Sequence, residues 1–200
     1  MRKVFLLTAL TIMSFSFLQS QTADDIYNAE TISWYGLDYT HAYFISTVDF
    51  PDPYALKSRF SDWNDLIINE SDKYNLNRFF NTDVTMHIEM IEMRNEKIRL
   101  KDRITDDDFL SSHLEYVNIQ EIVNTYNLEG EDSGFGLVFI VESLSKPNIK
   151  GAYWVTFFDI KSKKVISSER YLGKPGGFGL RNYWARSFYN VMMEAGKDFQ

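Results

Sequence analysis

The chain has 200 residues, no cysteine, and 28 acidic against 21 basic side chains, a net charge of −7 at neutral pH. Without cysteine there is no disulfide framework and no thiol nucleophile, and the negative balance argues against nucleic acid or an anionic membrane as a bulk partner. With 44% hydrophobic and 16% aromatic residues, the chain carries enough apolar mass for one domain with a sizeable core.

Residues 1–20 have the anatomy of a cleavable signal peptide: Arg2 and Lys3, an apolar stretch from Val4 through Leu18, and the small residue Ser20 before Gln21. The alternative is an uncleaved anchor or a core helix, but threonines and serines break the stretch and it is short for a span. Cleavage removes two basic residues and leaves 19 against 28 acidic ones, a mature net charge of −9. The mature chain, residues 21–200, is then exported to the periplasm or beyond, with no transmembrane anchor and no cysteine to carry a lipid.

Residues 21–30 are polar and read as a loose lead-in. Residues 32–45 alternate as one strand, with Tyr35, Leu37, Tyr39, His41, Tyr43 and Ile45 on one face and Trp34, Asp38 and Phe44 on the other; Gly36 is the place for a bulge. Asp52 and Pro53 then open a helix, an oxygen acceptor followed by a residue with no N–H to leave unpaired. Leu56, Phe60, Trp63 and Ile67 form its stripe, and it is expected to run to about residue 73. Residues 83–91 fit two patterns. Val84, Met86, Ile88 and Met90 alternate as a strand, while Met86, Met90 and Met93 fit a helix; the strand is the stronger local match.

The charged residues 94–112 read as a surface connection. Ile119, Ile122, Val123 and Tyr126 make a helical stripe, with Asn118 and Glu121 spaced as a capping pair. Leu137 to Val141 is a continuous apolar run, as for a strand buried on both faces. Residues 152–160 and 164–172 form a hairpin around Lys161-Ser162-Lys163. After the glycine-rich loop 173–179, a last helix buries Leu180, Trp184, Phe188, Val191, Met192 and Ala195. The expected fold is a single α/β (α+β) domain over 21–200, a mixed twisted sheet with packed helices in the order β-α-β-α-β-β-β-α.

No motif specifies a reaction. Gly173-x-x-Gly176-Gly177-x-Gly179 before a helix resembles a phosphate cradle, with Lys174 and Arg181 adding charge, but it lacks both the dinucleotide spacing and the Gly-Lys-Ser/Thr ending. The blander reading is a loop that turns the chain sharply onto the sheet. Asp38 and His41 fall on opposite faces of an alternating strand, so His41 reads as a hydrogen-bonded residue in an aromatic layer. Met86, His87, Glu89 and Met90 could be ligands, yet two donors do not make a site, and the methionines read as core filler. With His113 the only other histidine, no metal is expected. Asp106-Asp107-Asp108 lacks calcium-loop spacing and reads as a solvated loop or helix start. Trp34, Tyr35, Tyr39 and Tyr43 on one strand, and Phe178, Tyr183 and Trp184 near the last helix, are core residues or, where exposed, a platform for a glycan or protein.

The segments SWYGLDYTHAYFI at 33–45 and GFGLRNYW at 177–184 resemble paired elements of exported Bacteroidetes proteins to which no established activity attaches. More distantly, VTFFDIKSKKVISSE resembles the strand–turn–strand of the envelope-assembly lipoprotein group, which includes the curli secretion lipoprotein, activators of penicillin-binding proteins and the amino-terminal domain of TolB. In that group the turn carries Thr-Gly, where this chain has Ser162-Lys163, and the lipid-bearing cysteine has no counterpart here.

The resemblance and the aromatic excess imply a non-catalytic, exported binding or adaptor module that works in cell-envelope assembly or maintenance by contact with an envelope protein, without a cofactor. Its expected surface is Lys174, Gly176, Gly177, Phe178, Gly179, Arg181, Asn182 and Tyr183. Two alternatives stand beside it: a small anion or nucleotide-like ligand at the same loop, with or without an enzymatic step, and a structural protein that self-associates.

Overall fold

The computed structural model describes residues 22–128, 130 and 133–199. The expected leader and the cleavage point before Gln21 lie outside these residues. The polar lead-in contains a one-turn helix, α1 (Ala23–Tyr27), whose first turn is tied by Asp25 accepting the Thr22 N–H at 2.7 Å.

The run read as one strand is two, β1 (Thr31–Asp38) and β2 (Tyr43–Ile45). Both run parallel to β5 (Phe135–Ser145) along the same edge, β1 against 135–140 and β2 against 143–145. Between them the chain turns out of line, with the Ala42 N–H donating to the Tyr39 carbonyl at 2.9 Å. The bulge expected at Gly36 is present: Trp34 lies opposite Leu137 and Gly36 opposite Val138, so Tyr35 is the extra residue. Gly36 has φ +105°, a conformation that strains any side chain, and a Cβ there would lie 3.0 Å from Asn64 Oδ1. The extra residue reverses the alternation. Trp34 therefore shares a core with Leu37 and Tyr39, and Tyr35 packs on the opposite face of the sheet. The expected odd-numbered face holds only for Leu37 and Tyr39, because after the turn Ala42 and Phe44 join that core and Tyr43 lies against His113.

Helix α2 (Pro53–Asn69) begins as read, with Asp52 accepting the Tyr54 and Ala55 N–H groups at 2.9 and 3.1 Å. It ends at Asn69, before the expected residue 73, and α3 (Leu76–Phe80) follows. Residues 83–91 do not form a single strand. Alternation holds through β3 (Asp83–Met86), parallel to β1, and the His87 N–H still pairs with the Trp34 carbonyl at 2.8 Å. The buried positions then change to helical spacing, Ile88, Ile91 and Asn95, as α4 (Glu89–Asn95) forms. The supposed surface connection 94–112 contains the end of α4, a 3₁₀ turn at Leu100–Asp102, β4 (Ile104–Thr105) parallel to β2, and a second 3₁₀ turn at Asp108–Ser111.

Helix α5 (Tyr116–Asn124) starts a turn earlier than its apolar stripe indicates. Asn118 reaches back to accept the Glu115 N–H at 2.9 Å, so the capping pair is Glu115–Asn118 rather than Asn118–Glu121. The hairpin β6 (Lys150–Asp159) and β7 (Val165–Gly173) is antiparallel, and α6 (Gly179–Ala195) closes onto it. Gly173 permits that closure. A Cβ there would meet the Ser187 carbonyl oxygen of α6 at 2.1 Å, and the Ser187 hydroxyl donates to the Gly173 carbonyl at 2.8 Å.

The seven described strands form one mixed sheet of five columns. Strands β3 and β4 lie in line at one edge, β1 and β2 in line beside them, then β5, β6 and β7. Helices cover both faces. Leu137, Phe139 and Val141 of β5 pack with α2 and α6, while Val138 and Ile140 pack with α4 and α5. Burying both faces is what makes the central strand uniformly apolar.

Two buried amides reach the irregular part of β1 from different helices. Asn64 of α2 accepts the Leu37 N–H at 2.8 Å; Asn95 of α4 accepts the Tyr39 N–H at 2.9 Å and donates to the Leu37 carbonyl at 2.9 Å. These satisfy backbone groups that the bulge and the turn remove from the ladder. Asn95→Ala orphans two buried groups and is expected to lower stability by about 3 kcal/mol, read from urea unfolding, whereas Glu121→Ala at an exposed position of α5 should leave the midpoint within error.

Candidate functional site

The glycine loop splits the eight expected contacts into separate environments. Lys174, Gly176, Gly177 and Asn182 line a groove of about 480 Å³, together with Lys73, Arg186 and Asn190. The Gly176 N–H donates to the Tyr183 carbonyl at 3.0 Å, so that amide is not free for an anion. Arg181 turns away to lie 3.8 Å from Glu70, and its carbonyl accepts the Trp63 indole N–H at 2.9 Å. Tyr183 packs edge-on against Trp184 and beneath Lys146, whose ammonium lies 3.6 Å from the ring centre. Gly179 opens α6, and Phe178 projects into solvent with 95% of its surface exposed. A single ligand site built from all eight is not present.

Phe178 belongs instead to a wider feature. Among the described residues the four most exposed large apolar side chains are Phe178, Phe109 (91%), Val48 (84%) and Tyr54 (81%). Val48 follows β2, Tyr54 opens α2, Phe109 follows β4, and Phe178 bridges β7 and α6. Each lies just past the carboxyl end of β2, β4 or β7, and that end of β7 is level with the carboxyl end of β5 through the hairpin register. Ile149 and Leu172, half exposed, lie at the same end. One end of the molecule thus carries apolar tips from several loops.

These tips stand on tied supports. Asp106 accepts the Thr47 N–H at 2.8 Å and its hydroxyl at 2.7 Å, joining the loops after β2 and β4, and these bonds hold the Asp106 carboxyl below its ordinary pKa. Asp107 caps the 3₁₀ turn through the Phe109 N–H at 3.1 Å, and Asp108 accepts from the Asn148 side chain in the β5–β6 turn. The three consecutive aspartates are therefore loop fasteners, the solvated-loop reading of this run. Asp49 and Asp52 flank the same tips, so this part of the rim is acidic.

The expected histidine and methionine candidates fall elsewhere. Asp38 is fully buried, accepts the Thr40 N–H at 2.8 Å and the Tyr126 hydroxyl at 2.9 Å, and lies 3.7 Å from Arg94 Nε. His41 sits in the turn between β1 and β2, within electrostatic reach of Asp38, Arg94 and Arg103 rather than in an aromatic layer. The His113 ring bonds to the carbonyls of Leu110 and His41 at 3.0 and 3.1 Å and meets Tyr43 edge-on. His87 contacts Thr85 at 3.1 Å; Met90 packs against the α5-side core, while Met86 is exposed. Among the described residues no three histidine or carboxylate side chains are grouped to hold a metal ion. Of the aromatics in the first run, Trp34, Tyr35 and Tyr39 are core residues and Tyr43 is half-buried.

Sequence reasoning missed Glu142. It is the extra residue of a second bulge, in β5, where Val141 lies opposite Tyr153 and Ser143 opposite Ala152. Its buried carboxylate accepts the His113 and Leu114 N–H groups at 2.7 and 2.8 Å and Arg170 Nε at 2.6 Å. A glutamate inside an apolar run was the available signal. Oε1 holds the segment before α5 and Oε2 pairs with Arg170 of β7, a positioning role. No known family model matches the chain, and no curated protein matches it.

Burial lowers the pKa of both His41 and His113 below the ordinary histidine value; Arg103 also opposes their charging, and Asp38 and Glu142 act the other way. The unfolded chain therefore binds protons first as the pH falls. The histidine contribution to stability is complete above about pH 6.5 and declines below it. The urea midpoint should fall between pH 7.5 and 5.5, and His113→Asn should flatten that slope.

Proposed function

We propose that this protein is an exported binding module that docks a protein partner through the apolar rim at the carboxyl end of its sheet. The observation that carries this reading is the coincidence of Val48, Tyr54, Phe109 and Phe178, the four most exposed large apolar side chains, at one end of the domain. A monomeric surface rarely groups such side chains without an interaction to cover them, and aromatic anchors are the residues that most often carry binding energy.

The chemistry of the rim defines the partner. Asp49, Asp52, Asp106, Asp107 and Asp108 lie beside Val48, Tyr54 and Phe109, so the complementary surface offers apolar recesses flanked by basic residues. The same carboxylates disfavour an anionic membrane surface. The resemblance of the hairpin segment to envelope-assembly lipoproteins supports placing this partner in the cell envelope, with assembly or maintenance as the setting.

Photo-crosslinking probes at Phe178 and Phe109 in the native host, with Met193 on α6 as a control, should yield one discrete protein adduct from the rim positions alone. With the probe moved to Tyr54 on the same rim, the double change Phe109→Ser and Phe178→Ala should abolish that adduct and leave the unfolding free energy within about 0.5 kcal/mol, as expected for exposed positions. An adduct between two copies of this chain would replace the partner reading with self-association. Equal labelling at Met193 would remove the rim's special status.

A further inference from the structure

The sheet's outer column is incomplete. Strand β3 pairs with residues 31–34 and β4 with residues 44–45, which leaves the intervening part of the β1–β2 column without a strand beside it. Residues 87–103 bridge that interval as α4 and a 3₁₀ turn. A cleft of about 640 Å³ opens there, lined by Thr40, Tyr43, Arg94, Lys97, Arg99 and Arg103, in the range of small-molecule sites and larger than a lone inorganic ion requires.

Four cations line this cleft in a chain of net charge −7. The inner one, Arg94, is held rigidly. Its Nε lies 3.7 Å from Asp38, its outer nitrogens reach Thr125 O and Thr40 Oγ1 at 3.4 and 3.5 Å, and its guanidinium covers the Tyr126 ring at 4.9 Å. Arg103 lies over the Tyr43 ring at 4.9 Å, and its carbonyl accepts the Phe44 N–H at 2.8 Å. Among the described residues neither Arg103 nor Lys97 has a carboxylate partner; the one acid in the lining, Asp102, is matched by Arg99 at 3.4 Å.

We infer that this cleft binds a small, multiply charged anion through its phosphate or carboxylate groups, with Lys97 and Arg103 as the principal contacts and Arg99 at the mouth. Arginines pre-aligned by ring stacking give up little freedom on pairing with an oxyanion, and charge-assisted bonds to such groups are the stronger ones. The groove beside the glycine loop is lined by a single arginine, Arg186, 5.7 Å from the Tyr189 ring centre, against the three arginines of the cleft.

The test is calorimetric titration of the purified protein at low salt with pyrophosphate and, separately, citrate. The expected result is saturable binding at one site per chain. Lys97→Ala, at an exposed position, and Arg103→Lys, which keeps the charge but loses the planar fork, should each weaken binding about tenfold. Lys174→Ala in the other groove should leave it unchanged. Binding of pyrophosphate alone selects phosphate, of citrate alone carboxylate, and of both the general polyanion class. Absence of saturable heat with either probe, or an equal loss in Lys174→Ala, overturns the assignment.

Discussion

The architecture rests on how the chain satisfies the backbone of its interrupted first strand. Between Trp34 and Tyr43 the ladder to β5 meets a bulge and then a four-residue turn, and the sheet alone cannot pair the groups released there. Asn64 and Asn95 supply the missing partners from α2 and α4. This ties the helical layers to a single point in the sheet. An unpaired buried amide costs more than an ordinary hydrogen bond returns, so the positions of α2 and α4 are set by polar contacts as well as by packing.

The same irregularity generates the polar features of the molecule. Because β1 stops at Asp38 and β2 resumes at Tyr43, the outer column also breaks, and residues 87–103 must leave the sheet plane. The basic cleft lies at that departure. On the neighbouring strand, the β5 bulge turns Glu142 toward the segment before α5, where one carboxylate gathers two backbone amides and Arg170. The rim of apolar tips has a different origin. It follows from several strands ending at one level, so that their loops share one end of the domain.

Local pattern revealed the elements whose period stays constant. The central strand was legible because both its faces are buried, and the β6–β7 hairpin, the stripe of α2 and the inner face of α6 because each buries a side against a large neighbour. Legibility failed where the period changes within a few residues. Gly36 was recognisable as a bulge, but its effect on Tyr35 required knowing which residue was extra. At His87 strand spacing gives way to helical spacing, and the run 83–91 satisfied both templates. Of the proposed contact surface only Phe178 was visible, since Val48, Tyr54 and Phe109 look like ordinary loop residues until topology gathers them. Lys97, Arg99 and Arg103 likewise read as solvated charge in a connection, and only the gap in the outer column gives them a common cavity.

The place of β5 in the chain has a consequence for the order of folding. It is the strand that β1, β2 and β6 all pair with, yet it begins at Phe135, some two-thirds of the way along. As the chain is made, Trp34, Leu37 and Phe44 emerge long before the strand that will cover them. Pairings so distant in sequence pay their loop-closure cost before any contact rewards it. The amino-terminal half is therefore a client in waiting, exposed to aggregation or capture until the last third arrives to close the sheet.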